Sequence, residues 1–260
     1  FGYFRLIFII RYMKTISAQL RKAAAKLLFP DNSYCAVCKR LLFSGDIPLC
    51  EKCAGKITPP SERVCGSCKG VILPHEFFCA NCSPLKEVFA SSFCYTDYDE
   101  TSKRFIREFK YNGYSQAAVY AGRLIAKEMH KEVLHNRADM VLCVPISEKK
   151  RAERGYNQAD LIAREISRIC NIMYPGDVIR MKRMPEDQIG KNFEERRENV
   201  RDLFEVPENI EVEGKRILLI DDVVTTASTL TACATPFRER KALSVSFAVY
   251  AAAKFALESD

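Results

Sequence analysis

The sequence predicts an α/β protein: a parallel sheet flanked by helices, with a small cysteine-rich segment in front of it. Three observations lead there. From about residue 88 onward, apolar runs alternate with amphipathic stretches, the pattern of strands joined by crossover helices. Ahead of that point, eight of the twelve cysteines stand in four C-x-x-C pairs. Near the carboxyl end, Ile217, Leu218, Leu219 and Ile220 run directly into Asp221 and Asp222, which reads as a strand buried on both faces with two acids at its end.

A chain of 260 residues fits one domain with an appendage, or two small domains. The composition, 48% hydrophobic and 28% charged, is that of a soluble globular protein and excludes a disordered or collagen-like chain. The apolar opening over residues 1–10 is interrupted by Arg5 and falls short of the roughly 18 residues a bilayer span needs. Residues 1–12 lack a basic leader and a small-residue cleavage site, so they make a poor signal peptide. The expected start is Met13, followed by a helix with Ile16, Leu20, Ala24, Leu27 and Leu28 on one face; it is expected to pack on the body of the protein. The organisation predicted is an extension with that helix over residues 1–34, a double zinc ribbon over 35–86 and the sheet domain over 87–260.

The four pairs are Cys35/Cys38, Cys50/Cys53, Cys65/Cys68 and Cys79/Cys82. Two residues between cysteines turn both sulfurs toward one ion, and two such turns complete a tetrahedral four-thiolate site. A disulfide framework belongs to secreted chains, and a redox C-x-x-C belongs beside a thioredoxin-like unit; neither context is present. Two structural zinc ions are therefore expected. Spacing leaves open whether neighbouring pairs combine or interleave. His75 reads as a turn residue, and Cys94, Cys143, Cys170 and Cys233 as buried apolar groups. Twelve reduced cysteines fit the cytoplasm. The formal charge of +7 falls to about +3 once eight thiolates hold two Zn2+, which weakens basicity as an argument for nucleic-acid binding.

Strands are expected over residues 88–95, 140–144, 178–183, 217–220 and 244–250, and helices over 101–109, 117–134, 158–170 and 230–240. Residues 185–199 are highly charged without an apolar face and read as a long functional loop. After the strand ending at Ile220 come Asp221 and Asp222, then Thr225, Thr226, Ala227, Ser228 and Thr229 opening a helix. Ligands bind at the carboxyl ends of parallel strands, and a helix N-terminus favours phosphate. Acids beside a phosphate cradle suit a phosphosugar, with carboxylates accepting from ribose hydroxyls.

This stretch resembles the 5-phosphoribosyl 1-pyrophosphate (PRPP) motif of type I phosphoribosyltransferases. The chain from about Cys35 to Tyr250 resembles the competence protein ComF family, a double zinc ribbon before a phosphoribosyltransferase-like domain. Further matches are Val144, Pro145 and Ile146 running to Arg154, Gly155, Tyr156, Asn157 and Gln158; Gln188 with Arg196 and Asn199; and Lys110 with Tyr111. The resemblance implies that Asp221 and Asp222 contact ribose hydroxyls directly or through Mg2+, and that residues 225–229 hold the 5′-phosphate. Lys149, Lys150, Arg151 and Arg154, in the loop after the strand at 140–144, would meet pyrophosphate, and the loop at 185–199, with Arg196, would close over the reacting centre. It implies phosphoribosyl transfer to an unidentified acceptor and a link to DNA uptake. The alternatives are a PRPP- or nucleotide-binding module without turnover and a single-stranded DNA-handling factor partnering the competence machinery. Asp222→Asn is expected to weaken PRPP binding and barely alter stability without ligand. Where the family has Gly, this chain has Ala227, a residue that is costly at positive φ.

Overall fold

Residues that alternate between two apolar faces build the centre of this computed structural model, which describes residues 34–42, 47–59, 63–64, 71–72, 88–131, 138–182, 203–225 and 227–252. Four strands, β3 (Ser92–Asp97), β4 (Met140–Cys143), β7 (Arg216–Val224) and β8 (Ser244–Ala252), form one parallel sheet in the order β3-β8-β7-β4. Ahead of them lie the single-turn helix α1 (Glu51–Ala54) and an antiparallel pair, β1 (Arg63–Val64) with β2 (Val71–Ile72). Between β3 and β4 run α2 (Glu100–Tyr111) and α3 (Ser115–Lys131). α4 (Glu148–Arg154) and α5 (Gln158–Cys170) follow β4, then β5 (Arg180–Met181), β6 (Phe204–Glu205), and finally α6 (Ser228–Glu239) between β7 and β8.

Successive strand residues face opposite layers, and the two cores follow that rule. Leu218, Ile220, Phe93, Tyr95, Ala248 and Tyr250 pack with α2, α3 and α5. Ile217, Leu219, Leu142, Val245, Phe247 and Val249 pack with α6 and with Phe204 of β6. The helices start where their sequences place capping groups: Asp99 accepts from the Ser102 N–H at 2.8 Å and Asn157 accepts from the Ala159 N–H at 3.0 Å. Beside the amino ends of β4 and β7, Asp139 takes the Arg216 backbone N–H and side chain at 2.6–3.0 Å. Those bonds hold its carboxyl pKa down to about 2.

The expected helix over 158–170 is found with those bounds, and the others agree within a few residues. β3 begins at Ser92, four residues later than expected, because Val88 to Ser91 turn before joining the sheet. The strand with the acidic pair is longer than expected: pairing with β8 continues to Val224↔Ala252, so both acids lie within β7. Residues 148–154 form a helix where a loop was expected, since Ser147 accepts from the Lys150 N–H and Gly155, at φ 80°, closes the other end. The expected strand over 178–183 shortens to β5 and pairs antiparallel with β6. The N-terminal helix and the loop at 185–199 lie outside the described residues.

Gly122 of α3 sets the closest approach in the helical layer. A Cβ there would meet Glu165 Cβ and Ile162 O, each at 2.9 Å, both belonging to α5. Gly122→Ala gains helix propensity of about 1 kcal/mol but forces two backbones apart, at a cost of about 1–3 kcal/mol. Denaturant unfolding should therefore show a net loss, against the propensity scale.

Candidate functional site

The carboxyl end of β7 carries the two acids to different sides. Asp222 lies on the α2 side, 3% exposed, and its Oδ1 takes the Lys110 ammonium at 2.7 Å. Burial pulls the Lys110 pKa down, but the Asp222 carboxylate outweighs it and the net shift is upward. Asp222 Oδ2 is buried and accepts from no donor among the described residues. Asp221 is half-buried and its Oδ1 accepts the Asp222 N–H at 2.8 Å. Burial first and the Asp222 charge second push the Asp221 carboxyl up to about 7, with Lys110 and Lys150 pulling the other way. An orphaned buried carboxylate oxygen beside a second carboxylate is suited to a divalent cation or a sugar hydroxyl donor. These residues fit Mg2+.

The strand passes through exposed Thr225 to Ala227, whose φ of 57° places it in the left-handed region at the start of α6. The start of α6 places the amides of residues 227–229 a few residues after the acids in the chain, and helix N-termini favour anions; Thr226 lies outside the described residues. A residue with a Cβ in this region costs about 1–2 kcal/mol. In Ala227→Gly, relief of that strain is offset by lost methyl burial and added chain freedom, each about 0.5–1 kcal/mol. Thermal melting should find Ala227→Gly near neutral, whereas Ala234→Gly, fully buried in the middle of α6, should lose about 1.5–2 kcal/mol with nothing gained in return.

The four basic residues of α4 separate by role. Lys150 acts electrostatically on Asp221. Arg154 acts on Lys110 and lies over the Tyr111 ring, 5.4 Å from its centroid. Arg151 is paired with Asp177. Lys149 is exposed. Asp177 also accepts from Cys143 Sγ at 3.3 Å and from Asn157 Nδ2 at 3.4 Å, while Asn157 donates to Val144 O at 3.0 Å. This cluster ties α4 to the end of β4 and to the loop before β5; burial first and Asp177 second push the Cys143 thiol up. Arg151 thus anchors α4 to the loop before β5 in this structure.

Residue reading picked out Lys110 only as a motif match, without a role, and missed Asp177. Lys110 had a signal, the last turn of a helix ending in Lys-Tyr, but its partner Asp222 stands on a strand far along the sequence. Asp177 had none, standing in a loop without a motif. Arg196, Gln188 and Asn199 lie outside the described residues.

On the opposite end of α2 from its cap sits the cysteine knuckle. The Sγ atoms of Cys35, Cys38, Cys50 and Cys53 all lie within 4.8 Å of one another, and Cys38 Sγ to Cys50 Sγ is 3.8 Å. A tetrahedron with Zn–S bonds of about 2.3 Å has edges of about 3.8 Å, so these thiols fit zinc. They are free of disulfides, and the Arg40 N–H holds the Cys38 thiol down to about 7. The two neighbouring pairs combine here; Cys65, Cys68, Cys79 and Cys82 lie outside the described residues. Cys35, Ala36, Leu49, Cys53 and Ile57 share the core with α2 and α3. Lys39 pairs with Glu108, the Tyr114 hydroxyl donates to Tyr34 O at 3.1 Å, and Tyr95 donates to Ile57 O at 3.3 Å. Glu108 is 3% exposed on the apolar side of α2, between Phe105 and Phe109.

The phosphoribosyl transferase domain family matches residues 115–258, more than half of the chain. Competence protein F of Haemophilus influenzae is 28% identical over 76% of this chain and 88% of its own length. DNA utilization protein YhgH of Escherichia coli is 26% identical, covering 75% and 86%, and competence protein ComFC of Bacillus subtilis is 26% identical, covering 79% and 84%. Among the described residues no helix is long and apolar enough to cross a membrane.

Proposed function

Because the chain belongs to the phosphoribosyl transferase domain family, in its ComF branch, we propose that it binds PRPP with Mg2+ and transfers the phosphoribosyl group to an acceptor in the service of DNA uptake. The observation that carries this reading is the buried, half-satisfied Asp222 carboxylate beside Asp221, one short turn before the N-terminus of α6. Asp222 and Asp221 accept from the ribose hydroxyls and hold Mg2+, whose charge favours departure of pyrophosphate. The 227–229 amides and the Thr225 and Thr226 hydroxyls hold the 5′-phosphate. Lys150 and Arg154, with Lys149 at the rim, meet the pyrophosphate end and stabilise charge as it develops. Arg196, in the charged segment between β5 and β6, is a further basic residue proposed to act on the reacting centre.

The cysteine segment over residues 35–86 carries two zinc ions, the second on Cys65, Cys68, Cys79 and Cys82, ahead of the transferase domain at 87–260. Metal analysis of protein purified with reductant should find two zinc ions per chain, and one after Cys65→Ser. The names of the relatives support a role with DNA, and reduced thiols support the cytoplasm.

One observation favours a second reading, binding without turnover: Arg151, a basic group near the leaving-group side, is consumed by Asp177. Calorimetric titration with PRPP and Mg2+, then a screen of bases and amines for pyrophosphate release, separates the two. Binding with release supports the enzyme; binding without release under any acceptor supports the module; no binding removes both.

A further inference from the structure

Lys110 is seated against Asp222, one of the two acids that would hold a divalent ion. Its ammonium lies 2.7 Å from Oδ1, its side chain is 21% exposed, and the Asp222 side chain is 4% exposed. The other oxygen, Oδ2, is buried without a donor among the described residues. The ammonium therefore neutralises the carboxylate electrically while leaving half of its hydrogen-bonding capacity unused. Its own position is set by the end of α2. The Tyr156 hydroxyl donates to Phe109 O at 2.7 Å, and Lys39 pairs with Glu108, so the backbone on the amino side of Lys110 is held from the loop after α4 and from the cysteine knuckle. The remaining freedom is in its four-carbon stem.

We propose that Lys110 is a built-in counter-cation that keeps free divalent metal out of the acidic pair and moves from Asp222 to a phosphate oxygen when metal arrives on a phosphosugar. It thereby selects the metal–phosphosugar complex over the metal alone. This rests on the reading of the acidic pair as the PRPP site and adds to it the order of entry. A bare ion must compete with a cation already seated at Oδ1 and gains no partner for the displaced ammonium. A metal bound to a polyphosphate brings that partner with it. Arg154, whose charge acts on Lys110, favours departure of the ammonium once an anion is present, since like charges repel.

The probe is free Mn2+, followed by paramagnetic resonance, with Mg–PRPP titrated separately. The intact protein should take up free Mn2+ weakly. Lys110→Met should bind it at least roughly tenfold tighter, as removal of one positive charge a few ångströms away predicts, and should bind Mg–PRPP at least roughly tenfold more weakly. Lys110→Arg keeps the charge and should keep free Mn2+ out. Because Lys110→Met leaves a buried carboxylate without its partner, a second measurement uses no variant. In nitrogen-15 lysine-labelled protein the Lys110 ammonium resonance should be unmoved by millimolar Mg2+ and shifted by Mg–PRPP. Tight Mn2+ uptake by the intact protein, or a Lys110 resonance that answers to Mg2+ alone, overturns the proposal. The free-metal arm reads Lys110 whether or not PRPP binds, so failure of the PRPP titration alone counts against the function proposed above and not against metal exclusion.

Discussion

Cys53→Ser should release metal and destabilise the sheet as well as the knuckle. Loss of a thiolate opens the four-thiolate site, and a segment this small has few apolar residues to fold without its ion. Leu49 and Ile57, each 3% exposed, belong to the same core as Phe105, Phe109 and Tyr250. Uncovering two such side chains costs about 1.5–3 kcal/mol each, so the stability of the whole chain should fall by about 3–6 kcal/mol. Zinc content and thermal melting followed through tyrosine signals check this. Metal loss with an unchanged melting temperature would mean that the knuckle only rests on the sheet. Chelation of the intact protein should reproduce the variant.

The acidic pair should divide when each member is replaced by asparagine. Asp222→Asn removes a charge-assisted bond and should weaken Mg–PRPP by about 1–3 kcal/mol. It also strands the Lys110 ammonium, so stability without ligand should fall by about 1–3 kcal/mol, against the sequence expectation of almost none. Asp221→Asn should likewise weaken Mg–PRPP, yet raise stability without ligand. Its folded-state pKa is raised to about 7 from an unfolded value near 3.8, so the folded state holds a proton that the unfolded state has lost. Stability therefore declines as pH rises from about 4 to 7 and stays low above that. The gain from Asp221→Asn should be largest above pH 7, about 1 kcal/mol or more, and fade as pH falls toward 4. Paired melting curves at pH 5 and 8 test the sign; equal effects of the two variants would show that the carboxylates share one environment.

The parallel sheet was legible because its strands and helices carry their own periodicity: the apolar run at 217–220 and the amphipathic face of 158–170 need no partner to be recognised. The acids at the end of β7 and the turn into α6 were legible because they fall together in one short stretch. What escaped depends on distant pairings. Whether Lys110 is a surface lysine or a counter-ion is decided by Asp222, and Arg151 becomes an anchor only when Asp177 meets it. The length of β7 was underestimated because charged residues are poor strand signals, yet β8 supplies a ladder partner through Ala252. The cysteine pairing, open from spacing, is resolved for the first four thiols by their mutual distances.

The order of the strands also fixes when the fold can be completed. β3 pairs along β8 from Ser92↔Phe247, and Ser91 Oγ donates to Ser246 Oγ at 2.9 Å across a separation of 155 residues. β8, the last of the described strands, is thus a central strand of the sheet, between β3 and β7. During synthesis β3 and the knuckle must wait, without their sheet neighbour, until residues 244–252 have emerged. Such non-local pairing slows folding because the intervening chain must be closed before any contact rewards it. A nascent chain halted before residue 244 leaves β3 and one side of β7 as open strand edges, the kind of edge that templates aggregation.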